Sequence, residues 1–267
     1  MSLPATARAL PSLFKVGFSE AVAYRAEFLV WMLSTTMPLI MLALWSAVAR
    51  EAPVGRFKEK EFVAYFLATF IVRQLTGSWA AWQMNYEIRQ GTLTMRLLRP
   101  IHPMITYAVE NLAAQPLRLV VALPMAAIAL WAGGLGQLPR DPVLWILWTA
   151  AMLGSWFISF LASFAIGSLA FFIESSIKVM EAWLALFFVF SGYLMPVELF
   201  PPAVRLLADW LPFRYQIGLP VELMTSAHGR AAALALLGRQ WAFVAVMLAA
   251  AILLWRRGLR RFAAYGG

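Results

Sequence analysis

Few side chains in this sequence could perform catalysis. His102 and His228 are its only histidines, and neither lies in a His-Glu-x-x-His pattern or has a second ligand at metal-binding spacing. The absence of cysteine excludes disulfides, thiolate metal sites and cysteine nucleophiles. No Gly-Lys dipeptide occurs, so the sequence has no Walker phosphate-binding loop. We therefore predict no catalytic residue, no metal site and no ATP hydrolysis by this chain itself.

Three polar residues, one of them His102, are interpreted as loop or surface residues rather than as parts of a catalytic site. His102 lies between two nearby prolines and is interpreted as a loop residue. Asp209 and Glu222 have no nucleophile near them in the sequence and are interpreted as surface charges rather than as an acid–base pair.

Charged residues inside apolar segments are the better candidates for contact with a polar substrate. Arg73 lies near the middle of such a segment, where a basic residue costs roughly 2.5–3.5 kcal/mol on insertion scales. Each strongly apolar neighbour offsets roughly 0.3–0.6 kcal/mol, so the segment can still insert with Arg73 facing protein or water. Glu110, Arg118 and Glu181 are candidates for the same interior. A structural ion pair and contact with substrate both remain open.

The composition indicates that lipid, rather than water, surrounds most of the chain. Of its 267 residues, 62% are hydrophobic and 13% are charged, against about half and about a quarter in soluble domains. The net charge of +9 would suggest nucleic acid in a soluble protein, but basic residues beside apolar segments instead set membrane orientation. We predict membrane lipids as partners and no nucleic acid. The first 25 residues lack the order of a signal peptide, so the membrane signal is expected to be internal and retained.

Apolar runs of the required length predict an all-α integral membrane protein with about six transmembrane helices. A hydrocarbon core about 30 Å thick needs roughly 20 helical residues. Arg256 and Arg257 are expected to end the last run, and residues 11–26 are predicted to form a helix lying in the interface. Residues 1–267 are predicted to form a single transmembrane domain. Its predicted spans are residues 28–48, 62–84, 104–131, 143–173, 179–195 and 233–255.

Basic residues in the flanks place both termini in the cytoplasm. One side of the predicted topology has many more of them than the other, as expected of the cytoplasmic side. That side holds Arg8, Lys15, Arg25, Arg89, Arg96, Arg99, Lys178, Arg256, Arg257, Arg260 and Arg261. The external side holds Arg50, Arg56, Lys58, Lys60 and Arg140. The few lysines and the many arginines and alanines are typical of a GC-rich bacterium, and the expected location is therefore a bacterial cytoplasmic membrane.

Two segments between the spans are too polar or too broken to cross a bilayer. Residues 85–103 combine aliphatic and basic side chains, a composition typical of a cytoplasmic helix that docks into a partner's groove. Residues 191–224 are apolar but are divided by five prolines. Short re-entrant or interfacial helices fit them best, and we expect them to cap an external vestibule.

Small residues recur along one face of the predicted fourth span. They allow another helix to approach closely, either within the subunit or at a subunit interface or conduit wall. The residues are Ala151, Ser155, Ser159, Ser163 and Gly167.

The order of these elements resembles the ATP-binding cassette (ABC) permeases with a type-2 transmembrane domain, over nearly the whole length. Three strings carry the resemblance: IRQGTLTMRLLRPIHP from Ile88, SGYLMPVELFPP from Ser191 and LPFRYQIGLPVE from Leu211. The resemblance implies an export-type permease that pairs with a second permease, identical or homologous, and with two ATP-binding subunits. ATP and Mg would bind those partner subunits.

The resemblance also assigns a coupling role to residues 87–99. Ile88, Leu93, Leu97 and Leu98 would pack on the ATPase. Arg89, Arg96 and Arg99 would meet its acidic rim or lipid phosphates, and Glu87 begins the segment.

Two other classes of protein remain as alternatives. An ion- or proton-coupled carrier needs intramembrane carboxylates, for which Glu110 and Glu181 are available, but inverted sequence halves are not evident. A membrane-embedded transferase or hydrolase needs catalytic residues that converge at one interface, whereas His102 and His228 are predicted on opposite sides.

Overall fold

The computed structural model describes residues 3–26, 30, 35–131, 136 and 138–265. Within these ranges the regular structure is helical, apart from one isolated bridge between Val54 and Phe57. Twelve α-helices are described: α1 (Leu3–Ala23), α2 (Met37–Glu51), α3 (Glu59–Thr76), α4 (Ala80–Arg89), α5 (Leu93–Leu97), α6 (Pro103–Ala113), α7 (Gln115–Trp131), α8 (Pro142–Ser168), α9 (Ser176–Phe190), α10 (Pro202–Asp209), α11 (Gly218–Met224) and α12 (Arg230–Tyr265).

Three helical stretches in the described residues are long and apolar enough to cross a membrane. They are Pro103–Trp131, Pro142–Phe171 and Arg230–Phe262. The first joins α6 and α7, and the second continues α8 by one 3₁₀ turn. Helices α8 and α12 pack along each other and enclose the larger hydrophobic core. The prediction of an all-helical membrane protein is therefore confirmed, while the count of six spans stays a prediction.

The predicted second span contains a break that we did not foresee. Helix α3 ends at Thr76 and α4 begins at Ala80, so residues 62–84 do not form one helix. The intervening residues include the pair Gly77–Ser78, and such pairs are a common cause of sharp kinks. The first residues of the predicted coupling segment, from Asn85 to Arg89, belong to α4.

Other helix boundaries also differ from the prediction. The last helix passes Arg256 and Arg257 and continues to Tyr265. Arginine is a good helix former, so these residues end the apolar run without ending the helix. Helix α9 ends at Phe190, before Gly192, whose φ of +85° is incompatible with helix. Helix α1 begins before the predicted residue 11. Residues 28–29 and 31–34 of the predicted first span lie outside the described residues.

Contacts between distant segments define two ends of the bundle. At the first, which we call the Arg89 end, Asn85 donates to Ser176 at 2.9 Å and the rings of His102 and Trp255 lie 6.0 Å apart. At the second, which we call the Arg56 end, Arg56 pairs with Glu198.

The basic residues divide between these ends as the topology prediction requires. Helix α8 starts beside the Asp141–Arg230 ion pair of the Arg56 end, and the 3₁₀ turn that follows it reaches Trp255 at the Arg89 end. The segments that contain Arg89, Arg96, Arg99, Lys178, Arg256 and Arg257 lie at the Arg89 end. Those that contain Arg50, Arg56 and Arg140 lie at the Arg56 end.

The segment from residue 191 to 224 folds against the Arg56 end as short helices. Besides α10 and α11 it contains only a 3₁₀ turn, Val197–Leu199, and none of these can cross a bilayer. The Tyr65 hydroxyl donates to the Gly192 carbonyl at 2.8 Å, and Ser155 donates to the Tyr215 carbonyl at 2.8 Å. The segment therefore packs on α3 and α8.

The interpretation of Asp209 and Glu222 as surface charges is wrong, because both pair with the buried Arg214. Glu222 is 2% exposed and its Oε2 accepts from Arg214 at 2.8 Å, while Asp209 pairs with another nitrogen of the same guanidinium. His228 Nε2 lies 2.7 Å from the same Glu222 oxygen. Burial would raise the pKa of Glu222, but His228 and Arg214 outweigh burial and lower the pKa from 4.5 to about 2.

This pKa shift predicts acid sensitivity of the Arg56 end. Since the folded pKa lies below the unfolded one, the stabilisation is complete above about pH 4.5 and is lost as the pH falls towards about 2. Its size is on the order of 3 kcal/mol. Denaturant unfolding between about pH 6 and pH 3 should show this loss in the native chain and a flatter profile in Glu222→Gln. A control, Glu51→Gln at an exposed carboxylate, should follow the native profile; an equal slope in all three proteins would contradict the assignment.

Candidate coupling surface and intramembrane charges

The turn between α4 and α5 is held by one buried arginine. Gly91, with φ of +72°, reverses the chain after α4 so that α5 returns towards α6. The Arg96 guanidinium then lies 2.6 Å from Glu87 Oε1 and 2.7 Å from Glu110 Oε1. It also donates to the Thr106 hydroxyl at 2.8 Å. One cation thus joins α4, α5 and α6.

The surroundings of Arg96 keep it charged. Its side chain is 9% exposed, and its guanidinium carbon lies 4.0 Å from the centre of the Tyr107 ring. Burial lowers the pKa of Arg96, but the hydrogen bonds to Glu87 and Glu110 outweigh burial and leave the pKa raised. The expectation that Arg96 meets a partner's acidic rim is therefore wrong, because its donors are already bound inside the subunit.

The coupling candidates separate into buried and exposed groups. Leu93 is fully buried in the core, and Ile88 and Leu97 pack against that core, so they stabilise the turn rather than face a partner. Arg89 is exposed and donates to the Ile173 carbonyl. Exposed side chains remain on one side of the turn, and we call this the Leu98 surface. It consists of Met95, 68% exposed, Leu98, 81% exposed, and the exposed Arg99.

Two of the intramembrane candidates lie beside the break between α3 and α4. Arg118 is 2% exposed and donates to the carbonyls of Gln74, at 2.9 Å, and Gly77, at 2.8 Å. Arg73 lies close to the Tyr193 side chain, and its guanidinium carbon lies 5.2 Å from the centre of the Phe187 ring. Arg73 therefore faces protein, as insertion energetics required.

The two carboxylates among these candidates lie elsewhere. Glu110 pairs with Arg96 and also accepts from Gln83 at 2.8 Å. Glu181 is exposed on α9, so the expectation that it faces the interior of this subunit is wrong. His102 and His228 lie at the Arg89 and Arg56 ends respectively, and no group of three potential metal ligands occurs among the described residues.

Comparison with protein-family models identifies the class of this membrane protein. A model described as "ABC-2 family transporter protein" matches residues 29–266, nearly the whole chain. The chain belongs to the ABC-2 transporter family. An ABC-2 permease is the membrane subunit of an ABC transporter, is not itself catalytic and works with an ATP-binding partner. No curated protein matches the chain.

The small residues of α8 place other segments of the ABC-2 permease against this helix. Ser163 Oγ accepts from the Ala81 amide at 2.8 Å, and Ser155 Oγ also donates to the Gln216 carbonyl at 2.9 Å. A Cβ on Gly167 would lie 3.1 Å from the Cα of Ala81. The Ala151 carbonyl accepts from Gln240, and Ser159 lines a cavity beside Arg73. These contacts are all within the subunit.

Several residues of these sites gave no usable signal in the sequence. Thr106, Tyr107 and Gln216 are ordinary polar residues in the printed sequence, and only the folded chain brings them to Arg96 or Arg73. The Gly77–Ser78 pair could have indicated the helix break, but we did not use it. The alternation of charges across Glu87, Arg96 and Glu110 could have suggested the ion pairs.

Replacement of Arg96 should destabilise the permease. Arg96→Gln leaves Glu87 and Glu110 close together without their shared cation, and breaking such a buried pair costs about 3–5 kcal/mol. Thermal unfolding in detergent should detect a large decrease in the melting temperature. The control Arg99→Gln, at an exposed arginine, should change stability by less than about 0.5 kcal/mol. Equal melting temperatures for the two variants would contradict the ion-pair account.

A matched pair of glycine substitutions tests the packing of α8 on α4. Gly167→Ala forces a methyl group against backbone and should cost about 1–3 kcal/mol. Gly238→Ala, in α12 with nothing within 4 Å of the added carbon, should leave stability equal or slightly higher. Thermal unfolding of both variants measures the difference; a neutral Gly167→Ala would show that the helices are less closely packed than described.

Proposed function

We propose that this ABC-2 permease is the translocating subunit of an exporter in a bacterial cytoplasmic membrane. Two permease copies, identical or homologous, form the pathway, and two ATP-binding subunits that carry ATP and Mg drive it. Both termini and the Arg89 end face the cytoplasm. The chain crosses the membrane about six times, and the segment from residue 191 to 224 caps the pathway outside.

The Leu98 surface is the observation that carries this proposal. Met95 and Leu98 are three residues apart, so they project from the same side of the turn. A side chain as exposed as Leu98 gains little from burial within its own subunit. The turn beneath it is nevertheless fixed by the Arg96 ion pairs. A rigid element that exposes aliphatic side chains suits transmission of force from an ATPase.

The distribution of charge supports the assignment of sides. The Arg89 end groups the segments richest in arginine, as expected for the cytoplasmic face. No observation favours an ion-coupled carrier, since Glu110 is bound to Arg96 and Glu181 is exposed. The separation of His102 and His228 argues equally against an enzyme.

Purification of the permease with its partner tests the proposal. We expect an ATP-binding subunit to copurify with the native chain from its host in mild detergent. Leu98→Asp places a charge at the centre of the docking surface and should weaken assembly by at least about tenfold, as loss of a central interface residue does. The second readout is the rate of ATP hydrolysis by the ATP-binding subunit. We expect this rate to rise when the subunit is reconstituted with the native permease.

A control at the other end of the molecule makes this test specific. Leu206 is 62% exposed on α10, and Leu206→Asp changes the same residue type at the Arg56 end. It should leave assembly unchanged. Equal loss of assembly in both variants, or recovery of the native chain without an ATP-binding subunit, would contradict the proposed function.

A further inference from the structure

A small cavity beside the break between α3 and α4 is lined by both polar and aromatic side chains. Arg73, Ser78, Ser159 and Gln216 contribute polar groups, and Trp82, Trp183 and Phe187 contribute rings. Its volume is about 20 Å³, room for roughly one oxygen-sized group. Its place among α3, α4, α8 and α9 puts it inside the bundle.

Arg73 differs from Arg96 and Arg214 in its partners among the described residues. Arg96 binds Glu87 and Glu110, and Arg214 binds Asp209 and Glu222. Among the described residues no carboxylate forms an ion pair with Arg73, whose partners are the Tyr193 hydroxyl and the Phe187 ring. A cation away from bulk water is costly unless an opposite charge accompanies it.

Positive charge accumulates around this cavity. A Cβ on Gly77 would lie 3.2 Å from Nη1 of Arg73 and 3.6 Å from Nη1 of Arg118, so both guanidinium groups lie beside the same glycine. Two like charges raise the local potential, and the low dielectric inside the bundle strengthens their effect. A negatively charged ligand would be attracted to this position.

Gln216 supplies an independent indication of a ligand. Its side chain lines the cavity and is 3% exposed, yet its Nε2 has no hydrogen-bond acceptor in the part of the chain that the structure describes. Its backbone carbonyl is fixed by Ser155, so the residue is held in place. Since buried donors are almost always satisfied, an acceptor is expected here when the site is occupied.

We propose that this cavity binds the acidic head of an amphipathic anion, such as a phosphate or carboxylate with an apolar tail, and that this anion is the cargo of the permease. Arg73 and Gln216 donate to the head, and the rings of Trp82, Trp183 and Phe187 contact the apolar part. Because the cavity admits one oxygen-sized group in this conformation, binding requires α4 and α9 to separate slightly. The identification as cargo rests on the proposed function, whereas binding itself does not.

Binding of dodecyl phosphate to the full-length permease in phosphatidylcholine nanodiscs tests the proposal. We expect Arg73→Gln to raise the dissociation constant for dodecyl phosphate by roughly 10- to 100-fold, as loss of a charged hydrogen bond does. Gln216→Glu should abolish binding, because it places a carboxylate beside Arg73 inside the same cavity. The control Arg256→Gln, at an exposed arginine of the Arg89 end, should bind like the native chain. Inorganic phosphate should bind much more weakly than dodecyl phosphate.

Thermal unfolding of the same variants separates a ligand site from a structural one. Both Arg73→Gln and Gln216→Glu should keep or raise the melting temperature, because each relieves an uncompensated charge. A large decrease for Arg73→Gln would overturn the proposal, as would equal binding by native chain and variants. Tight binding of inorganic phosphate would also overturn it. The proposal would be overturned as well if the native chain bound no dodecyl phosphate and Arg73→Gln caused a permease dimer to dissociate.

The two proposals can fail separately. A permease that assembles with its ATP-binding subunit but binds no dodecyl phosphate contradicts the anion site alone. If the permease binds dodecyl phosphate but no ATP-binding subunit copurifies with it from its host, the exporter function alone is contradicted.

Discussion

A bilayer offers no hydrogen bonds to the backbone, and this constraint governs each place where a helix breaks inside the bundle. Arg118 binds the two carbonyls left at the end of α3, and Ser163 accepts from an amide at the start of α4. Tyr65 and Ser155 serve the irregular backbone near Gly192 and Tyr215 in the same way. These polar side chains make broken helices possible, and broken helices provide the turn and the cavity on which transport would depend.

The same reasoning explains the different roles of the enclosed arginines. Arg96 and Arg214, each between two carboxylates, fix opposite ends of the molecule. Arg118 stabilises a helix break. Arg73 lies beside the same break, close to the Tyr193 hydroxyl and the Phe187 ring. A rigid Arg89 end that exposes Leu98 and a donor-rich cavity near the break are the two elements on which the proposed ATP-driven transport depends.

Composition and apolar length predicted an all-helical membrane protein, because both depend on sums over many residues. The permease family followed from the order of those elements. Individual contacts could not be predicted in this way. Arg96 lies in a polar segment of the sequence, where an exposed side chain is expected, and only the chain reversal at Gly91 brings it between Glu87 and Glu110. Asp209 and Glu222 were misjudged for the same reason, since Arg214 reaches them only after the segment folds. Helix α12 continues past its apolar run to Tyr265, because loss of apolarity does not end a helix.

The absence of native cysteine allows a direct test of the docking surface, because one introduced cysteine is the only attachment point for a cross-linker. Leu98→Cys and Leu206→Cys permeases, each labelled with a photoreactive group and assembled with the copurifying ATP-binding subunit, would be irradiated and analysed by mass spectrometry. The account predicts that Leu98→Cys cross-links to the ATP-binding subunit and that Leu206→Cys does not. Cross-linking from Leu206→Cys, or none from Leu98→Cys in an assembled complex, would contradict it.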